Sequence, residues 1–90
     1  MALISKKAIV KGKVQGVWFR VSTQKVAQQL NLTGYAKNLD DGSVEVVATG
    51  TPEDVEQLLL YLYEGSENAI VDEVDITDID VTKFEEFKTA

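Results

Sequence analysis

The first third of the chain contains one stretch of alternating residues and one stretch with helical spacing. In "KAIVKGKV", residues 7–14, apolar or small residues occupy every second position and lysines most of the others, which predicts a half-buried β-strand. In "STQKVAQQLNL", residues 22–32, apolar side chains recur at the spacing of one helix face. Ser22 is the predicted N-cap of this helix, and Asn31 or Gly34 is predicted to end it.

A β-hairpin is predicted in the middle of the chain. The segments "GYAKNL", residues 34–39, and "SVEVVATG", residues 43–50, have the composition of strands. They are joined by "DDG", residues 40–42, and an Asp-Gly pair tolerates the positive φ of a tight turn. We therefore expect these two strands to pair with each other.

The segment "TPEDVEQLLLYLYEG", residues 51–65, carries the clearest helix signal. Thr51 is the predicted N-cap, Pro52 suits the first helical position, and Gly65 suits the left-handed residue that ends a helix. The apolar side chains expected to face the core are Val55, Leu58, Leu59 and Leu62.

Two further strands are predicted in the last third of the chain. The segment "AIVDEVDITDIDV", residues 69–81, alternates, but the alternation changes phase between Ile76 and Ile79, which predicts a bulge or an early end there. The segment "KFEEF", residues 83–87, is predicted to form a short final strand.

The order of the predicted elements is strand, helix, strand, strand, helix, strand, followed by the short extra strand. This order predicts an α+β fold, a ferredoxin-like βαββαβ sandwich with an antiparallel sheet, two helices on one face and a short extra C-terminal strand. Residues 1–90 show no repeat and no linker, so we expect a single domain. Because this fold hosts many functions, the function has to be argued from the site.

The composition excludes several classes of site. The sequence has no Cys and no His, which excludes a disulfide scaffold, a Cys or His nucleophile and the usual zinc sites. A catalytic site must then use arginine, lysine, carboxylate, amide, hydroxyl or backbone groups. An acidic set also lacks the pattern of an EF-hand, so we expect a solvated strand face there and no metal site. Its members are Asp72, Asp75, Asp78 and Asp80.

Charge is distributed unevenly along the chain. The net charge is −6 at pH 7, all 15 acidic residues lie in 39–90, and residues 1–38 hold most of the basic ones. The acidic balance argues against nucleic-acid binding, although the basic first part can hold a small anion.

No apolar run approaches the roughly 18 residues of a membrane span, and "ALI" followed by lysines is not the order of a signal peptide. We therefore expect no membrane association and a cytoplasmic location.

The stretch "GKVQGVWFR", residues 12–20, combines several features of an anion site. It forms the turn from the first predicted strand into the first helix, where glycine allows close backbone approach and successive N–H groups can form a nest. The helix start adds a positive dipole, and Arg20, the only arginine, supplies a planar fork suited to phosphate or carboxylate. A plain connecting turn with a surface arginine fits the same residues.

Two motifs taken together resemble those of the acylphosphatase family. The stretch "GKVQGVWFR" is similar to the first signature of the family, and "GYAKN", residues 34–38, is similar to the second, at the spacing the family has. The segment "DGSVEVVATG" and the helix after it also fit, so the resemblance extends over about the whole chain. It implies hydrolysis of the carboxyl–phosphate bond of acyl phosphates to a carboxylate and inorganic phosphate.

The resemblance also implies roles for particular residues. Arg20 would bind the phosphoryl oxygens, and Asn38 would orient the attacking water, whose proton would pass to an oxygen of the substrate's own phosphate because an amide is no base. No cofactor and no metal is implied, and we expect a monomer whose partners are a small acyl phosphate and inorganic phosphate. The loop that would wrap the phosphoryl group with backbone N–H groups consists of Gln15, Gly16, Val17, Trp18, Phe19 and Arg20.

Several alternatives fit parts of the same sequence. A non-enzymatic regulatory module that binds phosphate or acyl phosphates on this fold would keep Arg20 and the loop but would not need Asn38. An RNA-recognition module would need a glycine–aromatic signature that the central strands lack. Asn38 also precedes a hairpin, where asparagine serves turns. Two points stay open: whether Trp18 flanks the acyl group or packs, and whether the C-terminal carboxylate of Ala90 reaches and orients Arg20.

Overall fold

Seven elements follow one another in the computed structural model, which describes residues 2–90. The strands are β1 (Ile4–Lys13), β2 (Thr33–Asn38), β3 (Val44–Gly50), β4 (Ile70–Ile79) and β5 (Phe87–Thr89), and the helices are α1 (Phe19–Gln29) and α2 (Pro52–Leu62). The strands form one sheet in the order β4-β1-β3-β2-β5. The predicted ferredoxin-like α+β order is confirmed. In the described residues no helix is long and apolar enough to cross a membrane.

The extra strand makes the sheet mixed rather than antiparallel throughout. Strands β4, β1, β3 and β2 pair antiparallel, whereas β5 pairs parallel with β2. Strand β4 is one edge strand of the sheet, and β5 is the other, next to β2. The last residue of β4 lies at the same end of the sheet as the first residue of β2. The chain crosses to β2 at that end, so β5 starts there and runs parallel to β2. As a result, β1, β2 and β5 all finish at the same end of the sheet, which we call the upper end.

The core lies between the helices and one face of the sheet. Alternate residues of β1 and β3 point into it, including Ala8, Val10 and Val46, all at most 1% exposed. The predicted apolar stripe of α2, residues 55–62, is buried against them, as expected from its spacing. Helix α1 contributes Phe19, which is buried to 1% exposure. Each fully buried Val, Leu or Phe side chain contributes about 1.5–3 kcal/mol by leaving water.

Helix α2 begins and ends where the sequence predicts. The Thr51 hydroxyl accepts a hydrogen bond from the backbone N–H of Asp54 at 3.3 Å, and Pro52 is the first helical residue. Gly65 has a φ of 69° just beyond the helix, in the left-handed region that ends helices. Local capping chemistry is therefore sufficient to fix the bounds of this helix.

The predicted start of α1 is wrong. Ser22 is not its N-cap, because the helix begins at Phe19 and the backbone N–H of Ser22 already donates to the carbonyl oxygen of Trp18 at 3.0 Å. Burial of Phe19 in the core draws the chain into the helix before the first capping residue. At the other end Asn31, with a φ of 58°, follows the helix as predicted, whereas Gly34 lies inside β2.

The irregularity of β4 is also displaced from its predicted position. The register is continuous through Ile76 and Ile79, and the bulge lies where Gly12 of β1 faces Val71. Gly12 has a φ of 128°, and a Cβ there would overlap the carbonyl oxygen of Ile70. Most side chains of this edge strand are exposed, so few of its positions need to be apolar. The change of phase in its apolar pattern therefore does not mark an interruption of the strand pairing.

The final strand begins at Phe87 and not at residue 83. Phe87 enters the core, and the residues before it cross the face of the sheet that carries no helix. There the carbonyl oxygen of Thr82 accepts a hydrogen bond from the Thr49 hydroxyl at 2.7 Å. The backbone N–H of Thr82 donates to the Ser5 hydroxyl at 3.0 Å. Phe84 packs edge-on against Tyr35, with ring centroids 5.9 Å apart. These contacts hold residues 83–86 against the open face of the sheet, so pairing with β2 begins only at Phe87.

Two glycines with positive φ provide a matched test of the hairpin. A Cβ on Gly34 (φ 140°) would overlap the carbonyl oxygen of Val47 in β3, whereas a Cβ on Gly42 (φ 92°) has nothing within 4 Å. Both Gly→Ala changes carry the left-handed cost of about 1–2 kcal/mol. We expect Gly34→Ala to cost at least about 2 kcal/mol more, because backbone must move apart. Urea denaturation followed by circular dichroism measures both, and equal losses would contradict the overlap.

Candidate active site

The loop between β1 and α1 is held from both sides. The Gln15 side chain turns toward the hairpin, and its Nε2 donates to the carbonyl oxygens of Leu39 at 2.8 Å and Ser43 at 2.9 Å. On the other side, the Ser66 hydroxyl donates to the carbonyl oxygen of Val17 at 2.6 Å. The loop is thereby fixed relative to both the β2–β3 turn and the end of α2.

The backbone of this loop presents N–H groups without acceptors. Gly16 and Trp18 have φ values of 74° and 64°, so the chain turns tightly before α1. No atom of residues 2–90 accepts a hydrogen bond from the N–H groups of residues 15–21. Unpaired N–H groups of consecutive residues at a tight turn and a helix start form an anion-binding arrangement.

The two helices differ in the side chains at their N-termini, where the helix dipole is positive. Helix α2 has Thr51 as a cap and Glu53 and Asp54 in its first turn. Helix α1 has no side-chain cap and no acidic residue there, and it carries Arg20 instead. Because a cation at a helix N-terminus is electrostatically unfavourable, the start of α1 is suited to an external anion.

The Arg20 guanidinium makes one contact and leaves its other donors free for a ligand. Its Nη1 donates to the backbone oxygen of Ala90 at 2.8 Å. Within the part of the chain that the structure describes, no carboxylate side chain forms an ion pair with it. Ala90 is itself fixed, because its N–H donates to the carbonyl oxygen of Ala36 at 2.8 Å. Of the point left open by the sequence, the contact is shown: an oxygen of Ala90 reaches Arg20.

Asn38, at the upper end of β2, contacts the same oxygen as Arg20. Its backbone N–H donates to the Ala90 oxygen at 3.3 Å. Asn38 lies two residues after Ala36, which is fully buried, so its side chain is on the same, helix-bearing face of the sheet. The Asn38 Oδ1 is buried and has no hydrogen-bond partner among residues 2–90. A buried carbonyl oxygen without a partner in the protein is suited to accept a hydrogen bond from an external donor such as a water molecule.

The turn after Asn38 is stabilised by its own hydrogen bonds. The Asp41 carboxylate accepts from the hydroxyl and from the backbone N–H of Ser43. These bonds hold the pKa of the Asp41 carboxyl below its ordinary value. The Leu39 N–H donates to the Ser43 carbonyl oxygen at 2.9 Å, the same oxygen that Gln15 contacts. The position of Asn38 thus depends on a turn joined directly to the loop.

An open cleft of about 290 Å³ lies over the loop and the start of α1. Trp18 stands at its edge with its side chain 74% exposed. The residues that line the cleft are Val14, Gly16, Trp18, Phe19, Arg20 and Val21. The cleft therefore combines the unpaired N–H groups and the guanidinium with apolar side chains.

The predicted site residues contribute in different ways. Arg20 and Asn38 are brought together at one backbone oxygen. The side chains of Gln15, Val17 and Phe19 point away from the cleft into the hairpin or the interior, so these residues can offer only their backbone. The reasoning from sequence missed Ser66, which carries no motif and lies far along the chain from the loop it supports.

The acidic set of β4 and the residues after it lies apart from this cleft. The Asp78 carboxylate pairs with Lys6 at 2.6 Å, and that of Asp75 pairs with Lys11 at 3.5 Å. No group of three or more potential metal ligands was found in residues 2–90. All four acids are exposed, and two of them, Asp75 and Asp78, pair with lysines of β1.

Comparison with known proteins gives one consistent result. The sequence model of the family described as Acylphosphatase matches residues 6–89. A protein of Yersinia pseudotuberculosis named acylphosphatase is 52% identical over 88 residues, covering 97% of this chain and 96% of the relative. One of Hahella chejuensis is 54% identical over 74 residues, covering 82% and 79%.

A solved structure agrees with the sequence comparisons. The structure of an acylphosphatase from Coxiella burnetii superposes with a TM-score of 0.94 at 40% identity, covering 98% of this chain and 93% of that one. The resemblance expected from the two motifs is thereby confirmed by independent comparisons of sequence and of fold. This chain belongs to the acylphosphatase family.

Proposed function

We propose that this chain, as a single domain of residues 1–90, is an acylphosphatase that hydrolyses acyl phosphates to a carboxylate and inorganic phosphate. The observation that carries the proposal is the start of α1, where residues with unpaired N–H groups line one cleft with Arg20, and Arg20 shares the Ala90 oxygen with Asn38. Its family relatives, which are named acylphosphatases, support the same reaction.

The phosphoryl group would sit in the loop of residues 15–20. Its oxygens accept hydrogen bonds from the unpaired backbone N–H groups and from the guanidinium of Arg20, which retains donors after its contact with Ala90. Charge on these oxygens is stabilised most when donors are already oriented, so that no reorganisation is needed in the transition state. The contacts of Gln15 and Ser66 provide that orientation.

The attacking water would be held by Asn38. The buried Oδ1 accepts a hydrogen bond from the water, which leaves a lone pair of the water oxygen to attack phosphorus. Neither the water nor the amide needs to ionise beforehand, because an amide has no useful basicity at neutral pH. Positioning, rather than proton abstraction, is the role assigned to this residue.

The reaction balances without a further catalytic acid or base. The water oxygen forms a bond to phosphorus, and the bond from phosphorus to the bridging acyl oxygen breaks with its electron pair remaining on the carboxylate. The proton of the water passes to a non-bridging oxygen of the phosphate. A carboxylate is a weakly basic leaving group, so positioning and charge stabilisation supply most of what phosphoryl transfer requires.

All the groups assigned to the reaction come from one chain, so we expect the enzyme to act as a monomer on a small acyl phosphate, with inorganic phosphate as product and competing ligand. The net charge of −6 gives no support to nucleic-acid binding. We also retain the cytoplasmic location expected from the sequence. Sedimentation velocity tests the monomer, and a stable dimer would contradict it.

Replacing Arg20 tests the binding of the phosphoryl group. We expect Arg20→Ala to lower kcat/KM for benzoyl phosphate by about 10³-fold or more in excess EDTA, because the charge on the equatorial oxygens loses its cation. Inorganic phosphate, measured as a competitive inhibitor of the residual activity, should also bind more weakly. The matched control is Lys25→Ala, which removes a positive charge from an exposed position of the same helix. Equal losses of kcat/KM in both variants would mean that Arg20 contributes only its positive charge and does not bind the phosphoryl group directly.

Replacing Asn38 separates catalysis from binding. We expect Asn38→Ala to lower kcat about 10²-fold or more while phosphate inhibits within about twofold of the wild-type concentration, because the water is lost but the loop is kept. Urea denaturation should show no loss of stability, since the buried Oδ1 has no partner to lose among residues 2–90. Full activity of the variant would overturn the assignment of the water. Phosphate binding by an inactive wild type would favour the non-enzymatic module.

A further inference from the structure

The cleft over the loop is lined by two chemically different kinds of group. The residues with unpaired N–H groups and the Arg20 guanidinium suit a phosphoryl group. The exposed apolar lining residues are Trp18 and Val21, 74% and 38% exposed. Trp18 is the residue before α1, and Val21 lies in the first turn of the helix. A ligand that fills the cleft therefore has an anionic end and an apolar end.

Trp18 is placed where the fold itself gains little from it. Its indole is not part of the core cluster, and most of its surface stays in water. Its φ of 64° lies in the left-handed region, which residues with a Cβ rarely adopt. An exposed tryptophan in a disfavoured backbone conformation needs an explanation other than folding, and such outliers cluster at ligand sites.

We propose that Trp18 and Val21 form the subsite for the acyl group, and that the enzyme prefers acyl phosphates with an aromatic or bulky apolar acyl group over acetyl phosphate. The inference rests on the proposed function. In an acyl phosphate only one oxygen separates phosphorus from the acyl carbon, so a phosphoryl group in the loop directs the acyl group onto the adjacent side chains. Trp18 belongs to the loop and lines the same cleft, so its indole is adjacent to that path.

The expected size of the preference follows from the contact. An aromatic ring against the indole removes apolar surface of both groups from water and adds the attraction of an aromatic pair, which together correspond to about tenfold in affinity at an open site. An acetyl group is too small to cover the indole and gains little. The subsite should therefore raise kcat/KM for aromatic substrates relative to kcat/KM for acetyl phosphate.

The kinetic test compares benzoyl phosphate with acetyl phosphate. We expect Trp18→Ala to lower the ratio of kcat/KM for benzoyl phosphate to kcat/KM for acetyl phosphate about tenfold, mostly through KM for benzoyl phosphate. Trp18→Phe, which keeps a ring at the same backbone position, should restore most of the difference. Leu60→Ala, which removes an exposed apolar side chain of α2 outside the cleft, should change neither. Equal losses for both substrates in Trp18→Ala would overturn the proposal, because they would mean that Trp18 only shapes the loop.

A binding test separates this inference from the proposed function. Trp18 is the only tryptophan, so its fluorescence reports directly on the subsite. Phenylphosphonate should shift the emission to shorter wavelength, and methylphosphonate should not. By calorimetry the wild type should bind the phenyl compound about tenfold more tightly, a difference that Trp18→Ala should abolish. If the wild type hydrolyses neither substrate, the proposed function fails and this comparison still decides the subsite. Identical emission and affinity for the two phosphonates would overturn it.

Discussion

The burial of Phe19 is the contact that the arrangement of the site depends on. Its ring packs so closely against Gly65 that a Cβ at that position would lie 2.6 Å from the ring. This approach joins the first residue of α1 to the end of α2, and Ser66 adds a hydrogen bond to the carbonyl oxygen of Val17. Because the helix must begin at Phe19, the loop before it is short and tightly turned. The N–H groups of that loop therefore remain together at one end of the sheet.

The start of α1 is locally unfavourable and is stabilised from elsewhere. It lacks a capping side chain, has an arginine in the first turn and begins from a non-glycine residue with positive φ. Helix α2 of the same protein has the opposite features, with Thr51, Glu53 and Asp54 at its start. The difference makes sense if the partner of α1 is an anionic ligand, since each unpaired donor that a cap would satisfy is then available to that ligand. Tertiary contacts of Phe19 and Gln15 compensate for the missing local stabilisation.

The sequence predicts those parts of the molecule in which local chemistry and tertiary packing agree. The hairpin turn, helix α2 and its caps, and the order of the elements are confirmed because the residues that determine them are adjacent in the chain. The prediction of Ser22 as the N-cap is wrong because burial of Phe19 stabilises an earlier helix start more than a capping hydrogen bond would stabilise a later one. Strand β5 begins later than predicted because Thr82 and Phe84 are held on the far face of the sheet. Arg20 and Asn38 were identifiable from two motifs, but the oxygen that they share comes from Ala90, which no local pattern indicates.

The last residues connect the stability of the sheet to the geometry of the cleft. Phe87 is buried in the core, and its carbonyl oxygen accepts from the Gln24 side chain of α1 at 3.0 Å. Strand β5 is thereby fixed to β2 on one side and to α1 on the other, so its end cannot shift relative to either. Ala90 follows directly, and its oxygen contacts both the Arg20 guanidinium and the Asn38 N–H. This single contact orients Arg20, and the remaining donors of the guanidinium stay available for an incoming anion. A short strand that adds little to the sheet thus sets the distance between the group that would hold the phosphoryl oxygens and the one that would hold the water.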